Sequence, residues 1–265
     1  MICDTTTAMQ PLPNMLIFGI ISILCWLLAS FFSIKKKEKQ AMLLQSIGIL
    51  AFALFITWLW LTLKRPPFKT MGETRIWYSF FLAFLGGITY LRWKINYLLT
   101  FINLLASVFV MINICNPEIQ SQTLMPALQS VWFIPHVATY MFAYSVISCA
   151  FVLGVLELFH LNTHKCDLLV KIGTVSLGIG LCLGALWAKK AWGQYWSWDI
   201  KETAALITWI IFLLYIHLQK VKKINRKILL FILMIGFLSL QFTWYGVKVL
   251  PAAKQSPHTF YNAMK

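Results

Sequence analysis

The chain has 265 residues, of which 60% are hydrophobic and 15% aromatic while only 12% are charged, and its mean hydropathy is +0.74. A soluble domain carries about a quarter charged residues, so this composition excludes a soluble enzyme or binding module and defines an all-α polytopic membrane protein. The net charge of +15 is gathered at the ends of apolar runs, as topology signals and attraction to anionic membrane lipid require. No basic face with interleaved aromatics lies elsewhere, so nucleic acid is not an expected partner.

Crossing a hydrocarbon core of ~30 Å takes about 20 helical residues. Eight runs qualify or nearly so: 12–34, 41–63, 76–91, 95–114, 131–159, 169–187, 203–218 and 228–250. The third is short and holds Gly86-Gly87, and only Arg92-Trp93-Lys94 separates it from the fourth. The fifth is long enough for its first turn to stand proud of the bilayer. Residues 1–14 lack the basic lead of a signal peptide, so the first run is expected to remain as a span. A polar tail, 251–265, closes the chain. With no soluble domain, internal repeat or low-complexity tract, residues 1–265 read as one integral membrane domain.

Alternate loops collect 13 of the 23 basic residues, densest at Lys35, Lys36, Lys37 and Lys39 and again at Lys220, Lys222, Lys223, Arg226 and Lys227. The positive-inside rule places these runs in the cytoplasm. Both termini and the link between the sixth and seventh runs then face outward. That link, residues 187–203, carries four indoles (Trp187, Trp192, Trp196, Trp198), Tyr195, and the charged trio Asp199, Lys201 and Glu202. An interfacial aromatic belt needs fewer rings. Flat faces with interleaved N–H and ammonium donors suit a flat aromatic ligand with an anionic edge, such as a porphyrin. Asp199-Ile-Lys-Glu202 also has the form of a capping box that starts the seventh helix.

There are five histidines. His136 follows Pro135 at the outer mouth of the fifth run, and His258 lies in the tail. Counting crossings puts both on the face of the indole-rich link, whichever way the chain is inserted. Two imidazoles flanking such a link form a candidate axial pair for haem iron. His217 lies ~22 Å of helix beyond Glu202, at 1.5 Å per residue. That depth makes it a functional candidate inside the bilayer. His160 and His164 close the fifth run, with Glu157 one turn before His160 as its candidate partner. Gly180 and Gly184 form a Gly-x-x-x-Gly pair, for which close helix packing is a sufficient reason. Among six cysteines there is no CxxC pair. Cys25, Cys149 and Cys182 read as packing residues, and spacing alone does not decide whether Cys3 and Cys115 pair.

Trp192-Gly-x-Tyr-Trp-x-Trp-Asp-x-Lys-Glu-Thr203, followed by Leu206-Ile-Thr-Trp209 and His217, resembles the tryptophan-rich signature of the cytochrome c assembly family. The Lys-Glu-Thr ending and the upstream Leu128-Gln-Ser-x-Trp-x-x-Pro-His-Val137 are similar to the CcsA (ResC) branch. The likeness is clearest over 126–258 and rests on hydropathy alone across the first four runs. Ile200 stands where that family usually has Pro, and Ala204 where it often has Trp.

The resemblance implies a membrane subunit of the haem-ligation machinery in the bacterial inner (cytoplasmic) membrane. It implies haem b held at the external tryptophan-rich site, with His136 and His258 as axial ligands of the iron. Trp187, Trp192, Trp196, Trp198 and Asp199 then form the cofactor-binding shelf, and Lys201 or Lys189 meets the propionates. His217 matches a second, intramembrane haem site. The partners implied are a CcsB/ResB-type membrane protein, an apocytochrome c presenting Cys-x-x-Cys-His, and thiol-reducing proteins. On this reading the chain is a subunit of a holocytochrome c synthase, with no acid–base catalytic residue assigned. The alternatives are a CcmC-like haem carrier without ligation activity and a HemX-type assembly or regulatory protein.

Overall fold

The computed structural model describes residues 13–116, 130–159, 164–221, 223–246 and 250. The described elements are eight helices: α1 (Pro13–Ile34), α2 (Glu38–Leu63), α3 (Met71–Trp93), α4 (Asn96–Cys115), α5 (Phe133–Leu158), α6 (Cys166–Trp192), α7 (Ile200–Gln219) and α8 (Arg226–Trp244). Seven are long and apolar enough to cross a membrane. The other, α3, has 23 residues, about 34 Å at 1.5 Å per residue, and carries Glu73, Arg75 and Arg92 near its two ends. The chain is an integral membrane protein, as its composition requires.

Where hydropathy alone sets an element, the expected bounds hold within a few residues. They fail where other forces act. α6 runs on to Trp192, beyond the apolar run ending at 187. Its last turn is Ala188-Lys-Lys-Ala-Trp192, built of good helix formers, with two cations favoured at the negative end of the helix dipole. Gly193, at φ +80°, then stops the helix in the left-handed region that glycine enters without strain. At the other extreme, α8 ends at Trp244 rather than at residue 250.

The chain divides into two compact units, residues 1–125 and 126–265. Each packs its four described helices in a closed ring of neighbours: α1 on α2 and α4, with α3 on α2 and α4; then α5 on α6 and α8, with α7 on α6 and α8. The two units thus share one order of neighbours, although the sequence has no repeat.

In a membrane bundle, buried polar groups must satisfy one another. In the first unit Asn103 Nδ2 donates to the Trp26 carbonyl (3.0 Å), Ser30 Oγ (3.1 Å) and Gln45 Oε1 (2.8 Å), so one side chain ties α4 to α1 and α2. Gln45 Nε2 continues to the Ala83 carbonyl of α3 (2.8 Å). Thr70 and Glu73 form a capping box at the start of α3. The buried Glu73 also takes a two-pronged contact from Arg65, at 2.7 and 3.0 Å.

The second unit has its own polar knot, at the end away from the indole-rich link. Arg226 of α8 donates to both oxygens of Glu157 on α5 (2.7 and 2.9 Å) and to Asp167 of α6 (2.7 Å). It also approaches the Cys166 sulfur at 3.0 Å, and the Tyr215 hydroxyl of α7 donates to Asp167. Glu157 therefore pairs with Arg226, and with His164 at 3.3 Å. The sequence offers His160 for this role, which lies outside the described residues. Arg226, read from sequence only as a topology charge, is the residue that claims the carboxylate. Cys149 is buried as expected, whereas Cys182 lies exposed on the flank of α6. Cys3, and with it any pairing to Cys115, lies outside the described residues.

Candidate functional site

The site is built at the end of the second unit where α5 begins and α6 runs into α7. Pro135 sits in the first turn of α5, where its missing N–H has no helical partner to lose. His136 follows it there, its backbone N–H donating to the Trp132 carbonyl at 3.1 Å. Its ring leans on α6, with Nδ1 2.9 Å from the Gly180 carbonyl oxygen. A carbonyl only accepts, so Nδ1 carries the proton and the neutral ring's lone pair belongs to Nε2.

Three walls enclose this imidazole. Trp187 stacks on it at 5.6 Å between centroids and 24° between planes. Tyr140, one turn along α5, meets it edge-on at 4.8 Å. The third wall is bare backbone: a Cβ placed on Gly184 would lie 2.7 Å from His136 Cε1, and one on Gly180 would lie 2.9 Å from the Tyr140 ring. The Gly-x-x-x-Gly pair does allow close approach, and what approaches is two rings of α5. From Tyr140 the aromatic contacts continue to Tyr144 (5.7 Å) and to Trp244 of α8 (5.6 Å), which fastens the seat to the bundle.

Trp187 is buried, and it passes the contact on to Trp192 at 4.7 Å and to Phe133 at 5.2 Å. Trp187 and Trp192 both lie on the last turns of α6, so the true loop is only residues 193–199. Lys189 of α6 reaches that loop, donating to the Gly193 carbonyl at 2.9 Å and sitting 5.3 Å from the centre of the Tyr195 ring. Trp196 and Trp198 pair edge-on at 5.8 Å. Trp198 is 70% exposed and held at φ +58°, a strained conformation for a bulky residue that persists only where its surroundings impose it.

Those surroundings are the capping box. Asp199 Oδ1 accepts from the Glu202 N–H at 2.7 Å, and Glu202 Oε2 accepts from the N–H groups of Asp199 (3.4 Å) and Ser197 (2.7 Å) and from the Ser197 hydroxyl (3.2 Å). One carboxylate thus gathers the loop onto the first turn of α7. Trp209 then fixes α7 against α6, its indole N–H donating to the Thr174 carbonyl at 3.0 Å. Its place in the signature sequence does not disclose that structural task.

His136, Trp187 and Trp192 are brought together in one run of ring contacts, with Trp196, Trp198 and Asp199 on the loop that follows. His217 is at the other end of α7, exposed, with Nδ1 2.7 Å from the Leu213 carbonyl of its own helix. His258 lies outside the described residues. Two features suit a flat, anionic aromatic ligand. The indole N–H of Trp196 is buried with no hydrogen-bond partner among the described residues, and a donor in that state is costly unless a ligand completes it. The Trp198 and Tyr195 rings stand exposed beside it.

Fold and site together define a helical membrane protein with a seated imidazole beside an indole-rich hairpin between two spanning helices. Over residues 14–253 its sequence matches the family described as Cytochrome C assembly protein. The chain belongs to that family, and its role lies in cytochrome c assembly. It is similar to the Cytochrome c biogenesis protein CcsA of Cuscuta exaltata, 29% identical over 245 residues that cover 76% of this chain and 79% of the relative. CcsA of Chlamydomonas reinhardtii is 33% identical over 177 residues, 60% of this chain and 50% of the relative. Among solved structures, the Cytochrome c Heme Lyase CcmF superposes with a TM-score of 0.73 at 13% identity, over 92% of this chain and 48% of the other. This chain spans about half of that protein, and the likeness is one of fold.

Proposed function

We propose that the chain binds haem b at the end of the second unit where His136 lies and presents it to an apocytochrome c for thioether attachment. It does so as a subunit of a haem lyase, together with a CcsB/ResB-type membrane protein. The observation that carries this reading is the seat of His136. A histidine that ligates a metal nearly always gives its other ring N–H to a carboxylate or a backbone carbonyl, which fixes the tautomer and makes the ligating nitrogen more basic. His136 meets that condition through Gly180, in a run of ring contacts with Trp187 and Trp192 that leads to the loop bearing the exposed Trp198 and the buried indole N–H of Trp196.

In this scheme His136 and His258 hold the iron, Trp192, Trp196 and Trp198 pack on the macrocycle, and Asp199 with Glu202 keeps the loop in register. Lys201 or Lys189 would meet the propionates. His217, with its Nδ1 engaged and its ring on the helix surface, forms a second, intramembrane site that the partner chain completes. Haem supplies the vinyl groups to which the apocytochrome's two thiols add. The protein's share is orientation, which raises the effective concentration of the reacting groups, and no acid–base pair is needed. The shelf faces the external side of the bacterial inner membrane, both termini lie on that side, and thiol-reducing proteins keep the apocytochrome cysteines available.

The test is co-expression of the chain with a CcsB-type partner and an apocytochrome c. A Soret band in the purified complex and covalent haem on the cytochrome are the expected results. His136→Ala should lower bound haem, and added imidazole should restore it. Covalent haem that appears only when other maturation proteins are supplied would leave a CcmC-like carrier. A full complement of haem in His136→Ala would remove this residue as a ligand.

A further inference from the structure

We infer that Gly180 and Gly184 of α6 are positioning residues for the haem ligand His136: Gly184 supplies the space the imidazole occupies, and the Gly180 carbonyl holds its Nδ1 proton. The inference rests on the haem-binding reading of His136 and adds to it the device that chooses the ligating nitrogen and aims the ring. In an α-helix the carbonyl of residue 180 faces the N–H of residue 184, so both glycines lie on the same stripe and act on the same ring. The absent Cβ at 184 lets the ring edge within reach of the helix backbone, since a methyl there would fall 2.7 Å from Cε1 and 2.9 Å from Nδ1. Only at that depth does Nδ1 come within 2.9 Å of the Gly180 oxygen.

With the proton on Nδ1, Nε2 carries the lone pair through which the ring would ligate. The stack against Trp187 and the edge contact with Tyr140 restrict rotation of the ring about its own axis. A bond from Nδ1 to an uncharged carbonyl raises the basicity of Nε2 without adding charge to the site. Packing alone would call for two small residues. The hydrogen bond calls for a ring nitrogen bearing a proton at one fixed place, and the test exploits that difference.

The His136→Ala chain, co-purified with its CcsB-type partner, leaves the seat open for a free ligand. Imidazole can bind iron through one nitrogen and donate to Gly180 from the other; 1-methylimidazole ligates iron equally but has no N–H to donate. A hydrogen bond of ordinary net strength is worth up to about a factor of ten in affinity. Half-restoration of the Soret band should therefore need more 1-methylimidazole than imidazole, by about two- to tenfold. Gly184→Ala fills the seat, so it should lower haem content in the otherwise native chain and abolish imidazole rescue when combined with His136→Ala.

The ligand comparison alters neither glycine, so it remains decisive even if Gly184→Ala fails to accumulate. Equal potency of the two ligands would overturn the positioning inference while leaving His136 as a haem ligand. Full haem in His136→Ala without any added ligand would overturn both.

Discussion

Arg226→Met tests the least expected feature of the fold. The substitution keeps the apolar stem and removes the guanidinium that spans Glu157 and Asp167 at 2.7–2.9 Å. The Glu157 side chain is 3% exposed and the Arg226 side chain 23%, so loss of the guanidinium leaves a buried carboxylate to the exposed imidazole of His164 alone, beside a second carboxylate. Breaking a buried pair from one side costs about 3–5 kcal/mol. The partial exposure of Arg226 puts the expectation at the low end, about 3 kcal/mol, because water screens part of the charge. The double variant Arg226→Met/Glu157→Gln should recover most of that loss, since the stranded charge is then gone. Arg226→Lys should fall between, because one ammonium cannot reach both carboxylates as a planar fork does. Unfolding midpoints in mixed micelles titrated with SDS would rank the four proteins. A loss of under about 1 kcal/mol in Arg226→Met, or no recovery in the double variant, would refute the claim that this knot joins the ends of α5, α6 and α8.

Three smaller perturbations address the elements that shape the site. Asp199→Ala removes the acceptor for the Glu202 N–H and should cost about 1 kcal/mol, with faster proteolysis between residues 193 and 203 as the local sign. Trp209→Phe loses the 3.0 Å bond to the Thr174 carbonyl and should cost about 1–2 kcal/mol in the same titration. Asn103→Ala strips four hydrogen bonds from the first unit and should cost about 2–3 kcal/mol. Asn103→Ala is expected to leave haem content per folded molecule unchanged, as read from the Soret band against total protein.

The legible parts of the fold were those governed by a single large term. Transfer of apolar side chains into lipid fixed α1, α2, α4 and α5 to within a few residues, and the local pattern Asp199-x-x-Glu202 announced its own capping box. The last turn of α6 was not legible, because Ala188, the two lysines and Ala191 stay helical through propensity and dipole effects that a hydropathy reading discards. The partner of Glu157 was hidden for a different reason. It lies 69 residues away, inside a basic cluster that the topology rule already explained. Parity along the chain placed His136 and the indoles at one end. No one-dimensional pattern said that a histidine would take the room left by Gly184, since a small-residue pair announces a close approach without naming what approaches.

The two histidines of the proposed haem path that fall within the described residues reach one chemical state by different routes. Each has Nδ1 against a backbone carbonyl, which puts the lone pair of the neutral ring on Nε2. For His217 the acceptor is Leu213, four residues back on the same helix, so its tautomer is set by α7 alone and survives any change in how that helix packs. For His136 the acceptor belongs to another helix, and the ring's direction depends on α5 and α6 keeping their spacing. Sites of the first kind suit an imidazole that a second chain must reach. Sites of the second kind suit an imidazole that must hold a metal at one angle while a third molecule reacts beside it. Tyr140→Ala, which removes a wall of the His136 seat without touching α7, should therefore lower haem held through His136 and leave any haem held through His217. Equal loss of both in absorption spectra of His217→Ala, Tyr140→Ala and the double variant would show that the two sites are not independently built.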